Sequence, residues 1–221
     1  MTLIKICGIK DKSHALAAVG AGADFIGLVF APGRRQVSPA QAREIAHAVK
    51  RSNDGTEVVG VFVNAPSSQV NELADFCALD WVQLSGDESW EYCRDVARPV
   101  IKAIHIDRQS AEELHSELSA GSKLLPAERL MTLLDSRAEG KYGGTGESFN
   151  WNLAQRVARV FPLIIAGGLD PKNVATVIER VAPWGVDVSS GVETAGVKDT
   201  SKIKAFIEAV RKADEKRQAI T

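Results

Sequence analysis

The chain has 221 residues, a formal net charge of −1, 45 % hydrophobic and 25 % charged residues, the proportions of a folded globular protein with room for a full core. That charge balance offers no basic field to nucleic acid or an anionic membrane. No stretch reaches the roughly 18 apolar residues of a membrane span, and the N-terminus lacks the regions of a signal sequence. Three cysteines (Cys7, Cys77, Cys93) without C-x-x-C spacing suit reduced thiols better than a disulfide framework, so a soluble cytoplasmic protein is expected.

Short apolar runs of strand length alternate with amphipathic stretches along the whole chain. The strand candidates are LIKIC (3–7), FIGLVF (25–30), VVGVFV (58–63), WVQL (81–84), PVIKAI (99–104), LMTLLD (130–135), LIIA (163–166) and VDVS (186–189). Between them, segments such as SPAQAREIAHAVK and DPKNVATVIERV read as helices, with Pro39 and Pro171 at first helical positions. The runs recur about every 26 residues, close to the minimum for a βαβ unit. Nearly continuous apolar strands suit a parallel sheet covered by helices. Eight units in series predict a (β/α)₈ barrel as a single domain over 1–221, with an open doubly wound sheet as the alternative. The stretch 116–130 must hold an extra turn or loop.

Functional groups of such barrels stand at the C-terminal ends of the strands. Alternation puts Leu3, Lys5 and Cys7 on one face and Ile4 and Ile6 on the other. The outward face meets helices and must be apolar, so Cys7 is expected at the mouth, although a small buried packing residue is the plainer reading of a lone cysteine. By the same alternation Asp135 ends the sixth strand, where a helix N-cap is the plainer role. A thiol and a carboxylate at one mouth could serve as base and acid toward a small substrate.

Three glycine-rich turns follow: YGGTGESF (142–149), AGGLDPKNV (166–174) and VDVSSGVET (186–194). Glycines let backbone N–H groups approach a phosphate, and the loops after strands seven and eight are the usual phosphate site of this barrel. In the second βα loop, Arg34 and Arg35 are either a solvated pair or a fork for a carboxylate. The Glu44/His47 and Glu112/His115 pairs fall on helices outside the barrel, His14 and His105 have no companions at metal-ligand spacing, and Cys77 and Cys93 read as packing residues. The four tryptophans (Trp81, Trp90, Trp151, Trp184) read as core or barrel–helix packing.

In order along nearly the whole chain, KICGI, GADFIGLVFAP, VGVFVN, VQL-x-G, LLDS, YGGTG, AGGLDPKNV and DVSSGVE resemble the phosphoribosylanthranilate isomerase family of tryptophan biosynthesis. The resemblance implies an Amadori rearrangement of N-(5-phosphoribosyl)anthranilate to 1-(2-carboxyphenylamino)-1-deoxyribulose 5-phosphate, with no cofactor and no metal. It implies Cys7 as general base and Asp135 as general acid. Arg35, counted back from the Ser-Pro that opens the next helix, would bind the anthranilate carboxylate. Gly144, Gly167, Gly168, Ser189, Ser190 and Gly191 would hold the phosphate. Two departures stand out: Ser85 replaces the histidine usual after VQL, and the arginine loop is one residue short, which makes Arg34 the neighbouring candidate.

The partner implied is a small phosphorylated substrate, with no nucleic acid and no membrane; oligomeric state stays open. Rivals are another phosphosugar barrel enzyme or a non-catalytic barrel binding a phosphorylated ligand. A histidine-pathway aminoaldose isomerase calls for aspartate where Cys7 stands, and indoleglycerol-phosphate synthase for a lysine–glutamate set that has no place here. A binder leaves Cys7 and Asp135 unexplained.

Overall fold

Each apolar run pairs with the next one along the chain, and the eighth pairs back onto the first. The structure, a computed structural model, describes residues 1–52, 55–106, 110–135 and 151–220. Its parallel strands are β1 (Leu3–Cys7), β2 (Phe25–Val29), β3 (Glu57–Phe62), β4 (Trp81–Leu84), β5 (Val100–His105), β6 (Leu130–Asp135), β7 (Leu163–Ala166) and β8 (Gly185–Val188), closed into a barrel in that order. Closure rests on the register Leu3↔Gly185 to Ile6↔Val188, which removes the open-sheet alternative.

Helices α1 (Lys12–Gly20), α2 (Pro39–Ser52), α3 (Ser67–Phe76), α4 (Trp90–Arg94), α5 (Ala111–Leu124), α6 (Trp151–Ala158), α7 (Val174–Val181) and α8 (Thr200–Ile220) follow the strands in turn. Among the described residues, no helix is long and apolar enough to cross a membrane. Period-two alternation divides the core in two. Ile4, Ile6, Ile26, Leu28, Ile165 and Val188 pack outward against the helices, while Phe25, Val59, Trp81, Ile101, Leu133 and Ile164 fill the barrel. Trp81 meets Phe25 edge to face at 6.3 Å, and Lys5, 1 % exposed, shares this interior.

Four details differ from the sequence reading. Helix α7 starts at Val174 rather than at Pro171, because Asp170 first accepts the N–H groups of Lys172 and Asn173 in a side-chain turn. The stretch 116–130 is mostly the second half of α5, followed by a short 3₁₀ turn at Ala127–Arg129. The β8–α8 loop carries a small antiparallel hairpin, β9 (Glu193–Thr194) with β10 (Val197–Lys198). Trp184 is not a core residue: it stands 37 % exposed beside a cleft of about 680 Å³ lined by Thr2, Phe161 and Asp214, at the N-terminal ends of the strands and away from the mouth.

Candidate active site

Cys7 ends β1 on the inner face and is 8 % exposed. Its Cα lies opposite Gly27 of β2, and the reason for a glycine inside that strand is steric. A Cβ at position 27 would stand 2.8 Å from the Cys7 sulfur and 3.1 Å from Lys5 Nζ, so Gly27 leaves the thiol its space. After Cys7 the chain is held rather than loose. Gly8 takes φ +76°, and the N–H groups of Gly8 and Ile9 both donate to the Gly27 carbonyl. A side chain at position 8 would also strike Arg35 Cδ, 2.5 Å from the site of its Cβ.

Below the thiol, Lys5 Nζ donates to Asp187 Oδ1 at 2.8 Å in a buried pair. Burial alone would lower the Lys5 pKa, but Asp187 and Cys7 outweigh it and hold it above the ordinary value. The surroundings of Cys7 favour the thiol over the thiolate. Burial pushes the thiol above its ordinary pKa; Lys5 and Lys198 oppose this, while Asp187 adds to it. The Lys5 charge is already matched by a carboxylate, and α1 starts only at Lys12, with its N-cap Asp11 accepting from the His14 N–H.

Asp135 ends β6 on the inner face, where alternation from Met131 and Leu133 places it, and its side chain is 18 % exposed. Both proton-transfer candidates therefore stand at the same end of the barrel, each on an inward position. A binder with these two groups turned away finds no support here.

The arginine loop meets the β8 loop through Glu193. Arg35 grips it with Nε (2.7 Å) and Nη2 (3.1 Å), and Arg34 adds Nη2 at 2.9 Å. Of the two, Arg35 is the inner: its side chain is 25 % exposed against 58 % for Arg34. Lys198 Nζ donates to Glu193 at 2.9 Å and to the Ser189 carbonyl at 2.8 Å, and the Ser189 hydroxyl donates to the Cys7 carbonyl at 3.1 Å. Burial works against the Glu193 charge, yet Arg35 and Lys198 hold its carboxyl below the usual range. Burial also takes Lys198 below the ordinary lysine value despite Glu193.

Of the proposed phosphate turns, Gly144 lies outside the described residues. Gly167 and Gly168 take φ +93° and +63° in succession, a conformation that calls for glycine. Asn173 braces the turn by donating to the Gly168 carbonyl and accepting from the Asp170 N–H, both at 2.8 Å. The Ser190–Val192 segment is a 3₁₀ turn after β8. Gly191 packs directly on the Leu169 carbonyl, where no Cβ fits, so it brings the β7 and β8 loops together. Both loops stand at the C-terminal ends of their strands.

Sequence reading missed Gly27, Asp187, Glu193 and Lys198 as parts of the site. The motifs FIGLVF and DVSSGVE contained three of them, but their partners lie on other strands and loops. Cys77 and Cys93 are buried packing residues as expected, their thiols directed at the carbonyls of Pro39 and Ser89.

A family model described as N-(5′phosphoribosyl)anthranilate (PRA) isomerase matches residues 4–209. An N-(5′-phosphoribosyl)anthranilate isomerase from Dehalococcoides mccartyi is 46 % identical over 215 residues, covering 97 % of this chain and 98 % of that protein. One from Roseiflexus sp. is 48 % identical over 219 residues, 96 % of this chain and 99 % of the relative. The crystal structure of phosphoribosyl anthranilate isomerase from Thermotoga maritima superposes with a TM-score of 0.82 at 37 % identity, over 96 % of this chain and 100 % of that one. A phosphoribosyl anthranilate isomerase crystallised with reduced 1-(o-carboxyphenylamino)-1-deoxyribulose 5-phosphate gives 0.79 at 35 % identity, with the same coverage. A match this long, with relatives at nearly half identity, places this chain in the N-(5′-phosphoribosyl)anthranilate isomerase family, and it is an isomerase.

Proposed function

We propose that this isomerase converts N-(5-phosphoribosyl)anthranilate to 1-(2-carboxyphenylamino)-1-deoxyribulose 5-phosphate in tryptophan biosynthesis, as a single-domain cytoplasmic enzyme. Asp135 is the general acid. Its carboxyl proton goes to the ribose ring oxygen as the C1–O bond breaks, and the anilino nitrogen lone pair closes a C1=N bond. Cys7 is the general base. Its thiolate takes the C2 proton, and the C2–H electron pair becomes a C1=C2 bond while the C1=N pair returns to nitrogen. The resulting enol tautomerises to the ketone.

Arg35 faces the anthranilate carboxylate with Nη1, the guanidinium edge not engaged by Glu193. Backbone groups of Gly167, Gly168, Ser189, Ser190 and Gly191 receive the phosphate, and Gly144 completes the set. The Ser189 hydroxyl is directed at the Cys7 carbonyl, so its contribution to phosphate is from the main chain.

One observation carries this reading: a thiol and a carboxylate both end inward positions at one barrel mouth, with Gly27 clearing the space around the sulfur. The test is turnover of phosphoribosylanthranilate generated in situ, followed by loss of its fluorescence. Steady conversion to the deoxyribulose phosphate is expected. No conversion by the folded protein would overturn the proposal.

A further inference from the structure

The ladder between β1 and β8 stops short of Cys7. Its register runs from Leu3↔Gly185 to Ile6↔Val188, with the Leu3 N–H donating to the Trp184 carbonyl where it begins. A further step of that parallel pattern would give the Ser190 N–H to the Cys7 carbonyl. The Cys7 carbonyl accepts the Ser189 hydroxyl instead, at 3.1 Å. A side chain stands in for a main-chain donor.

The Ser189 carbonyl is drawn the other way. It accepts Lys198 Nζ at 2.8 Å and, more distantly, the Val192 N–H at 3.5 Å. Glu193 holds the same ammonium at 2.9 Å, and the Lys198 side chain is 3 % exposed, so it has little surface to offer a ligand. In a trans peptide the carbonyl and the following N–H point in opposite directions. With the Ser189 carbonyl turned to the hairpin, the Ser190 N–H is directed away from it. Among the described residues no carbonyl accepts that N–H.

We infer that Ser189 and Lys198 are positioning residues for the phosphate, which together withhold the Ser190 N–H from the sheet and present it to the ligand. The hydroxyl occupies the carbonyl that would otherwise capture this N–H. The ammonium fixes the peptide plane that carries it. Both side chains act through the main chain, and neither touches the phosphate. A donor kept free and already oriented needs no reorganisation when the anion arrives, and a hydrogen bond to an anion is roughly twice as strong as a neutral one.

This inference rests on the β8 turn receiving the phosphate. Calorimetric titration of the folded protein with inorganic phosphate and, separately, with anthranilate tells the two apart. Ser189→Ala leaves the Cys7 carbonyl unmet, and the ladder then recovers the Ser190 N–H. The Kd for phosphate is expected to rise about 10-fold, the weight of a hydrogen bond to a charged group, with that for anthranilate unchanged. Ser189→Thr, which keeps the hydroxyl, should bind phosphate nearly as the unaltered protein does. Lys198→Met should weaken both ligands, since Glu193, which holds Arg35, loses a partner as well. Unchanged phosphate affinity in Ser189→Ala or Lys198→Met, or a loss in Ser189→Ala shared equally by anthranilate, would overturn the positioning role. No phosphate binding by the unaltered protein would instead overturn the phosphate assignment itself, and the inference with it.

Discussion

The thiol of Cys7 shows how burial and charge compete at a single residue. Lys5 is adjacent on the same strand face and positively charged, but its charge is matched at 2.8 Å by Asp187. Its pull on the sulfur is therefore partly cancelled, and burial prevails. A thiol with a raised pKa holds its proton near neutrality, and its reactive fraction grows as pH rises through that pKa. Alkylation of Cys7 by iodoacetamide, followed peptide by peptide, should have its midpoint above the roughly 8.5 of a free thiol. A midpoint at or below that value would mean that Lys5 and Lys198 outweigh burial. Asp187 has a second consequence, since its loss would strand a buried ammonium, a defect costing about 3–5 kcal/mol.

At the scale of elements, the hairpin of β9 and β10 is the part built most directly for the site. Glu193 and Lys198 pair across it, and Glu193 fixes both arginines of the β2–α2 loop. Glu193→Gln should release Arg35 and leave Lys198 without its counter-charge. KM is expected to rise by about 10-fold and kcat to change less, because a carboxylate contact remote from the ribose is mostly uniform binding. A fall in kcat at constant KM would show that Arg35 acts on the chemical step.

The strands were legible in the sequence because an apolar run bounded by turn residues has few other uses. LIKIC, WVQL, LMTLLD and LIIA coincide with β1, β4, β6 and β7; FIGLVF overruns β2 by one residue, and VVGVFV, PVIKAI and VDVS are displaced by one residue from β3, β5 and β8. Inward placement of Cys7 and Asp135 followed from alternation alone. The hairpin was not legible, since two-residue strands carry no period. Nor were the roles of Gly27, Asp187 and Glu193, whose partners are fixed by register across neighbouring strands or by closure of β8 onto β1. Lys5 and Asp187, for instance, are 182 positions apart. Pro171 misled for a local reason: Asp170 makes a turn of its own before the helix can begin.

Across the whole molecule, the ring is secured where the ends of the chain meet. Asp214 of α8 accepts the Thr2 N–H at 2.6 Å and the Thr2 hydroxyl at 2.7 Å. Arg211 donates to the Thr2 carbonyl at 2.8 Å and to Asp24 at 3.2 Å, and Asp24 accepts the Ile4 N–H. Asp214 is 4 % exposed, so Asp214→Ala would leave buried donors unmet and destabilise by about 3 kcal/mol. The urea midpoint should fall with an unchanged slope; an unmoved midpoint would show that α8 is not a clamp. This seam lies at the opposite end of the barrel from the mouth, so stability and chemistry are separable, and the central claim can be tested without unfolding the protein. The most direct measurement is kcat of Cys7→Ala on phosphoribosylanthranilate, with the fold verified by circular dichroism. A loss of at least about 10²-fold, the range for a positioned base, is expected; a kcat near that of the unaltered enzyme would contradict the account.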